Sequence, residues 1–310
     1  MWSLIGLRMA DVAALLVMPF LLTGLINRVK SLWSGRKGPP IFQSFFDLRR
    51  LFSKTPVYST TSTMVFRIAP FVLLATAAGS ALIVPLLGSL PLISFPFDFV
   101  WFAYVWGLGR VAIMLAALDT GSSFEGMGAA REATFSTLLE PALFLVLGAL
   151  CIETGTHSLH AALVLHPHDG ISAVIWFASI LALLIVLQVE TSRMPVDDPG
   201  THLELTMVHE VMTLDHCGPE LACIQWGSAL KLMVGASILA TLLNPWSGSN
   251  SFAAMLMNLG LSAAVAVVIG TVESLMARLR LRTVPKYIVI SLVAGAVALL
   301  ATTWRLGGAQ

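Results

Sequence analysis

Met9-Ala10-Asp11-Val12-Ala13-Ala14-Leu15-Leu16-Val17-Met18-Pro19-Phe20-Leu21-Leu22-Thr23-Gly24-Leu25-Ile26 is an apolar run near the start of the chain, and its reading decides the fold. A cleaved signal peptide has a shorter apolar core and a small-residue cleavage site, so this run reads as a first membrane span. A helical span needs about 20 mostly apolar residues. Eight segments qualify: 9–29, 67–89, 98–118, 135–156, 171–190, 222–244, 252–275 and 285–304. Composition agrees. Hydrophobic residues make up 57% of the 310 residues and charged residues 11%, with a mean hydropathy of +0.85, whereas soluble domains carry about 25% charged residues. The Leu/Ala/Val/Ile-rich segments suit helices, and the ten-residue alternation of a membrane β-barrel is absent. The expectation is an all-α, polytopic integral membrane protein forming one transmembrane domain over 1–310, with Pro19, Pro85 and Gly109 tolerated inside or beside the spans.

A net charge of +1 gives no basic field for nucleic acid. Cys151, Cys217 and Cys223 form no C-x-x-C pair, and three thiols fall short of a four-cysteine iron–sulfur site. They also give no disulfide framework. Orientation follows from Lys and Arg. Loop one (about 30–66) carries Lys30, Arg36, Lys37, Arg49, Arg50 and Lys54; loop three (119–134) carries Arg131 and loop five (191–221) Arg193. Loop seven (276–284) and its border carry Arg278, Arg280, Arg282 and Lys286, while loops two, four and six have no Lys or Arg. The odd loops are therefore expected in the cytosol and both termini outside, opposed only by Arg8 and Arg305. No inverted repeat of broken helices is evident, which counts against a secondary transporter.

Within loop one, Gly35–Pro40 cannot be helical throughout. After it, Ile41, Phe45, Leu48 and Phe52 make one helical stripe, with Gln43, Asp47, Arg50 and Lys54 opposite. That pattern fits a membrane-surface helix or a docking surface for a cytosolic partner. Charges also fall inside spans, where each costs about 2.5–3.5 kcal/mol on insertion scales. Arg110, Glu140, Lys231 and Glu273 lie in the central or cytosolic part of the membrane, Glu140 and Lys231 on the order of 8–14 Å below the cytosolic edge. Glu153 lies toward the outer side. This asymmetry suggests a water-accessible half-path; the plainer alternative is structural pairing across helix interfaces, with Lys231 snorkelling to the surface.

Glu190-Thr191-Ser192-Arg193-Met194-Pro195-Val196-Asp197-Asp198-Pro199-Gly200-Thr201-His202-Leu203-Glu204-Leu205-Thr206-Met207-Val208-His209-Glu210 is strongly acidic for an inside loop. Three readings compete. His202, Glu204, His209 and Glu210 are metal-ligand types, but His202 and His209 are two turns apart, about 10 Å on one helix. A solvated acidic surface is the second. A proton-handling funnel is the third, favoured because Pro195 and Pro199 stiffen the acidic pair between them.

These residues resemble a known family. Arg36-Lys37-Gly38-Pro39 followed by Gln43, Asp47, Arg50 and Leu51 resembles the first loop of subunit 1 of respiratory complex I (NADH dehydrogenase subunit 1). Phe66-Arg67-Ile68-Ala69-Pro70, Gly128-Ala129-Ala130-Arg131, Glu140 and Glu190-Thr191-Ser192-Arg193-Met194-Pro195-Val196-Asp197 resemble further motifs of that family, which has eight core spans. Two departures, Pro40 and the string from Val196 to Glu210, count against a quinone site. The string resembles instead the membrane subunit of group 4 nickel–iron hydrogenases of the formate hydrogenlyase and hydrogenase-4 type. The resemblance implies a bacterial or archaeal cytoplasmic (inner) membrane location. It implies partners too: a nickel–iron large subunit and an iron–sulfur small subunit on loops one, three and five, and antiporter-like membrane subunits alongside. This chain then acts as a non-redox subunit of an oxidoreductase complex, with no catalytic centre, metal or cofactor of its own. It anchors the arm and couples electron transfer to proton or sodium movement. Glu190, Asp197, Asp198, Glu204 and Glu210 are expected as a charge-sensing loop, with Glu140, Lys231 and Glu273 continuing the path. Arg36, Gln43, Asp47, Arg50, Arg131 and Arg193 are expected at the docking interface. The alternatives are a quinone-chamber subunit, a stand-alone ion transporter and a passive anchor.

Overall fold

A computed structural model describes residues 2–87, 90–197, 207–249 and 251–308. Asp198, His202 and Glu204 lie outside them. The described residues form ten α-helices: α1 (Trp2–Trp33), α2 (Gln43–Phe52), α3 (Met64–Ile83), α4 (Asp98–Asp119), α5 (Ser123–Thr154), α6 (Leu159–Ala162), α7 (Gly170–Glu190), α8 (Gly218–Leu243), α9 (Phe252–Leu275) and α10 (Val284–Gly308), with one 3₁₀ turn at Glu210–Thr213. Eight of them, all but α2 and α6, are long and apolar enough to cross a membrane. The all-helical, eight-span expectation holds.

Where helices depart from the predicted spans, local chemistry explains it. α5 begins at Ser123, twelve residues ahead of the predicted span and just past Gly121 (φ 70°), because from Ser123 to Thr134 the chain is rich in Ala and carries no helix breaker beyond Gly126 and Gly128. Most of loop three is thus helix. α3 stops at Ile83 because Val84 precedes Pro85 and is held extended (φ −85°, ψ 136°).

α8 is the central helix: 83% of its apolar window is buried, against 33–56% for the other seven. α3 packs on α4 and α8, α10 on α5 and α7, and α1 on α9 and α8. Close approach relies on missing side chains. A Cβ at Gly109 would collide with Thr76 Oγ1, and one at Gly235 with Leu187. Small residues at crossings are how membrane helices gain van der Waals contact when lipid supplies no hydrophobic drive.

At the end of the bundle carrying both termini, Arg305 of α10 pairs with Glu153 of α5, and its Nη2 lies 3.3 Å from Asp169 Oδ2 and 3.0 Å from His168 Nε2. Because guanidinium only donates, His168 accepts there on Nε2, and its Nδ1 donates to the His166 carbonyl at 3.1 Å. Arg305 therefore clamps α10 to α5 and to the linker before α7. Glu153 is 3% exposed, so Arg305→Gln leaves a buried carboxylate uncompensated. The expected loss is about 2–3 kcal/mol, read as a lower thermal midpoint of the purified chain, and Glu153→Gln in the same chain should recover part of it.

Candidate functional site

Loop five enters the odd-loop end of the bundle immediately after α7, and its first residues are pinned three times. The first pin is Glu190, the last residue of α7. Its Oε1 is 2.6 Å from Arg110 Nη2 on α4, and its Oε2 accepts from Lys231 Nζ on α8 at 3.3 Å. The second is Arg193, whose Nη1 lies 3.4 Å from Glu273 Oε1 on α9, while Lys30 of α1 meets Glu273 Oε2 at 2.9 Å. The third is Asp197. Its Oδ2 accepts from the backbone N–H groups of Val208 and His209, each at 3.1 Å, and its Oδ1 accepts from Arg278 Nη2 at 2.9 Å. Asp197 is thus a buried bracket joining the two ends of the loop, 2% exposed, and not part of a solvated acidic surface.

The first and third pins belong to one network. Arg110 is its hub: Nε faces Glu132 Oε1 and Nη2 faces Glu140 Oε1, each at 3.7 Å, ion-pair distances longer than direct hydrogen bonds. Glu132 Oε2 lies 3.3 Å from His209 Nε2, and His209 Nδ1 lies 3.8 Å from Asp197 Oδ2. Reading outward, Lys231, Glu190, Arg110, Glu132, His209, Asp197 and Arg278 alternate in sign without a break, and Glu140 branches from Arg110. Four carboxylates meet four cations, counting His209 as charged. It is charged: although burial opposes the imidazolium, Glu132 and Asp197 hold the His209 pKa up at about 10. His209 and Arg278 in turn hold the Asp197 carboxyl below its ordinary value against the opposing effect of burial.

The predicted residues therefore divide. Glu190, Asp197, Lys231 and Glu140 come together, although Glu273 does not join them and forms its own knot with Lys30 and Arg193. Lys231 does not snorkel; it is 5% exposed and turned to Glu190. Glu140 differs from the expected buried acid. Its side chain is 47% exposed on the flank of α5, beside Gly107 of α4. Glu210 opens the 3₁₀ turn and is half-buried. Of the residues expected at an interface, Arg131 donates to the Met207 carbonyl at 2.9 Å and Arg193 is bound to Glu273, so both act inside the chain. Gln43 Nε2 donates to Asp47 Oδ1 at 2.9 Å, and Arg36 and Arg50 are exposed.

Three members of the network escaped the sequence reading. Glu132 falls in the predicted loop three, because hydropathy alone places the start of α5 twelve residues late. Its position eight residues before Glu140, two turns away and offset by about 80° on one helix, was the available signal. His209 was weighed as a metal ligand, but its two ring nitrogens are directed at carboxylates. Arg278 was counted for orientation alone. A separate buried pair, His216 Nδ1 and Glu220 Oε2 at 3.3 Å, stacks against Phe66 with ring centroids 3.9 Å apart and seals the seam between loops one and five; burial lowers the His216 pKa.

Comparison with known proteins gives three findings. A family model described as NADH dehydrogenase matches residues 7–304. The chain is 30% identical to hydrogenase-4 component C of Escherichia coli (strain K12) over 249 residues, 78% of this chain and 76% of that one. It is 28% identical to formate hydrogenlyase subunit 4 of the same organism over 276 residues, 86% and 88% of the two chains. In fold it is similar to a chain of the membrane-bound sulfane sulfur reductase, an archaeal respiratory membrane complex, with a TM-score of 0.80 at 19% identity, covering 97% of this chain and 100% of that one.

Proposed function

Since the chain belongs to the NADH dehydrogenase subunit 1 family and is a membrane subunit of a complex I-like oxidoreductase of the hydrogenase type, we propose that it is the ion-coupling subunit of an energy-converting nickel–iron hydrogenase. In this reading a nickel–iron large subunit and an iron–sulfur small subunit dock on the odd-loop face, which is cytosolic, and antiporter-like subunits lie beside the chain in the membrane. The nickel–iron centre and the clusters belong to those partners. Translocation of a proton or sodium ion is driven by their electron transfer.

One observation carries the proposal: an unbroken, sign-alternating chain of buried and half-buried charges runs from Arg278 at the odd-loop face to Lys231, with a branch to a carboxylate on the membrane-facing flank. Structural pairing alone needs no such branch, because an acid facing lipid is costly. Glu140 instead suits a lateral handover to a neighbouring membrane subunit. When a redox event at the docked arm perturbs loop five, the bracket at Asp197 transmits the change through His209 and Glu132 to Arg110. Arg110 then redistributes its contacts among Glu132, Glu140 and Glu190, changing which carboxylate has the neutralising cation beside it.

A structural role is the competing reading, favoured by the balance of four acids and four cations. Glu140→Gln separates the two. The variant keeps the size of the side chain and lies on an exposed flank, so assembly should match the wild type. Ions taken up per hydrogen formed, measured in sealed vesicles of the whole complex, should fall at least severalfold. An unchanged ratio at normal turnover would remove Glu140 from coupling and leave the network structural.

A further inference from the structure

α2 lies deep for a loop helix. Thr23 Oγ1 of α1 is 3.4 Å from Ser44 Oγ, the backbone of Ile41 presses on Gly24, and the Phe45 ring meets Phe20 edge-on at 5.6 Å. Phe20 in turn packs with Leu48 and Ala222 and lies 6.3 Å from Trp226 on α8. Thr23 is ten residues from Trp33, so α2 lies beside α1 about 15 Å below its odd-loop end. α2 thus lies against the apolar body of α1 and not beyond its end, the placement of an interfacial amphipathic helix. The lipid-facing surface of α1 continues into it: Leu16, one turn from Phe20 on the same face, is 51% exposed.

The protein absorbs only part of the apolar stripe of α2. Leu48 is buried, whereas Phe42, Phe45, Phe46 and Phe52 are 44–52% exposed. On α2 and the chain leading into it, Arg28, Arg36, Lys37, Arg49, Arg50 and Lys54 are all exposed, and none pairs with an acid among the described residues. Lys30 and Arg193 on this face are instead spent on Glu273 and Arg278 on Asp197, while Arg280, Arg282 and Lys286 are exposed but carry no comparable row of aromatic rings. Asp47, the acid within α2, is turned to Gln43. Exposed aromatic rings on such a helix, accompanied by uncompensated cations, complement an anionic lipid surface.

We propose that α2 is embedded in the leaflet on the odd-loop side. Its phenylalanines enter the acyl region, and Arg49, Arg50 and Lys54, with Arg28, Arg36 and Lys37 above them, hold the phosphates of anionic phospholipids. The site would keep an anionic lipid next to α1 and α8, fixing α2 at its depth and loop one over the bundle. It stands independently of the coupling role of Arg110 and Glu140.

The test uses the full chain in mild detergent, with phosphatidylglycerol and phosphatidylcholine as probes. Native mass spectrometry should show phosphatidylglycerol retained in preference to phosphatidylcholine. The variant Arg49→Gln/Arg50→Gln/Lys54→Gln should lose about a hundredfold in that preference, at about 1 kcal/mol per basic residue and 1.4 kcal/mol per tenfold. Arg280→Gln/Arg282→Gln, away from α2, should retain it. A nitroxide at Phe46→Cys, in a Cys217→Ser background within phosphatidylglycerol-containing nanodiscs, should be reached by oxygen more than by a water-soluble nickel chelate. Equal lipid retention by the triple variant overturns the proposal. So does a label open to the chelate, or one shielded only when the soluble hydrogenase arm is added, which would assign the surface to a protein partner.

Discussion

Arg110→Met is expected to destabilise the folded chain by about 3–5 kcal/mol, the cost of removing one partner from a buried ion network. Arg110 is 6% exposed and is the shared partner of Glu132, Glu140 and Glu190. Without it, Lys231 and His209 remain to offset these three carboxylates, and Lys231 touches only Glu190 among them. The carboxylates must then gain protons or draw in water, and either change rearranges the junction of α4, α5, α7 and α8. The thermal midpoint and the yield of purified chain should both fall. Adding Glu132→Gln removes a carboxylate left with only the His209 it shares with Asp197, and keeps Lys231 paired with Glu190, so Arg110→Met/Glu132→Gln should recover part of the loss. That non-additivity is the mark of residues acting as one unit. If Arg110→Met unfolds at the wild-type temperature, the network is not the coupled unit described above.

The fold was legible because its signal is repeated eight times. Each span is an apolar run long enough to cross a bilayer, and each odd loop carries the basic residues that alternation demands. Helix ends were less legible, since hydropathy marks where lipid ends and not where a helix does. α5 continues to Ser123 through Ala130, Ala129 and their neighbours, residues indifferent to lipid but good for helix. That single boundary concealed Glu132, because a charge outside a predicted span needs no partner to explain it.

The site was legible as a set of residue types and illegible as a set of pairs. Lys231 and Glu140 were visible as charges inside spans and Glu190 and Asp197 as acids of an unusually acidic inside loop, and three of the four are buried. Their grouping depends on which faces of α4, α5, α7 and α8 meet. These helices show no strong amphipathic face to read, since they are apolar on both the lipid side and the protein side. Glu273 illustrates the limit: it was expected with Lys231 on one path as a charge inside a span, yet α9 packs against α1 and delivers it to Lys30 instead. Arg131 and Arg193, plausible docking residues by position, are consumed by the Met207 carbonyl and Glu273 for the same reason.

His209 gives the second large effect, and its sign is fixed by the two acids around it. In the folded chain its pKa is about 10, against an ordinary value near 6.5. The folded state therefore holds a proton that the unfolded state releases between those values. Its stabilising contribution is complete below pH 6.5 and is lost progressively as pH rises to 10, on the order of 4 kcal/mol across the window. Wild-type chain should thus lose thermal stability from pH 7 to pH 10 more steeply than His209→Gln. The variant should be less stable near pH 7, where Glu132 and Asp197 lose their bridging cation, and the two curves should converge by about pH 10. Lysines and tyrosines that titrate in this range affect both chains and cancel in the difference. Parallel curves over the whole range would show that His209 is neutral. The alternation from Arg278 to Lys231 would then be broken at His209, and Asp197 would have no charged route to Arg110.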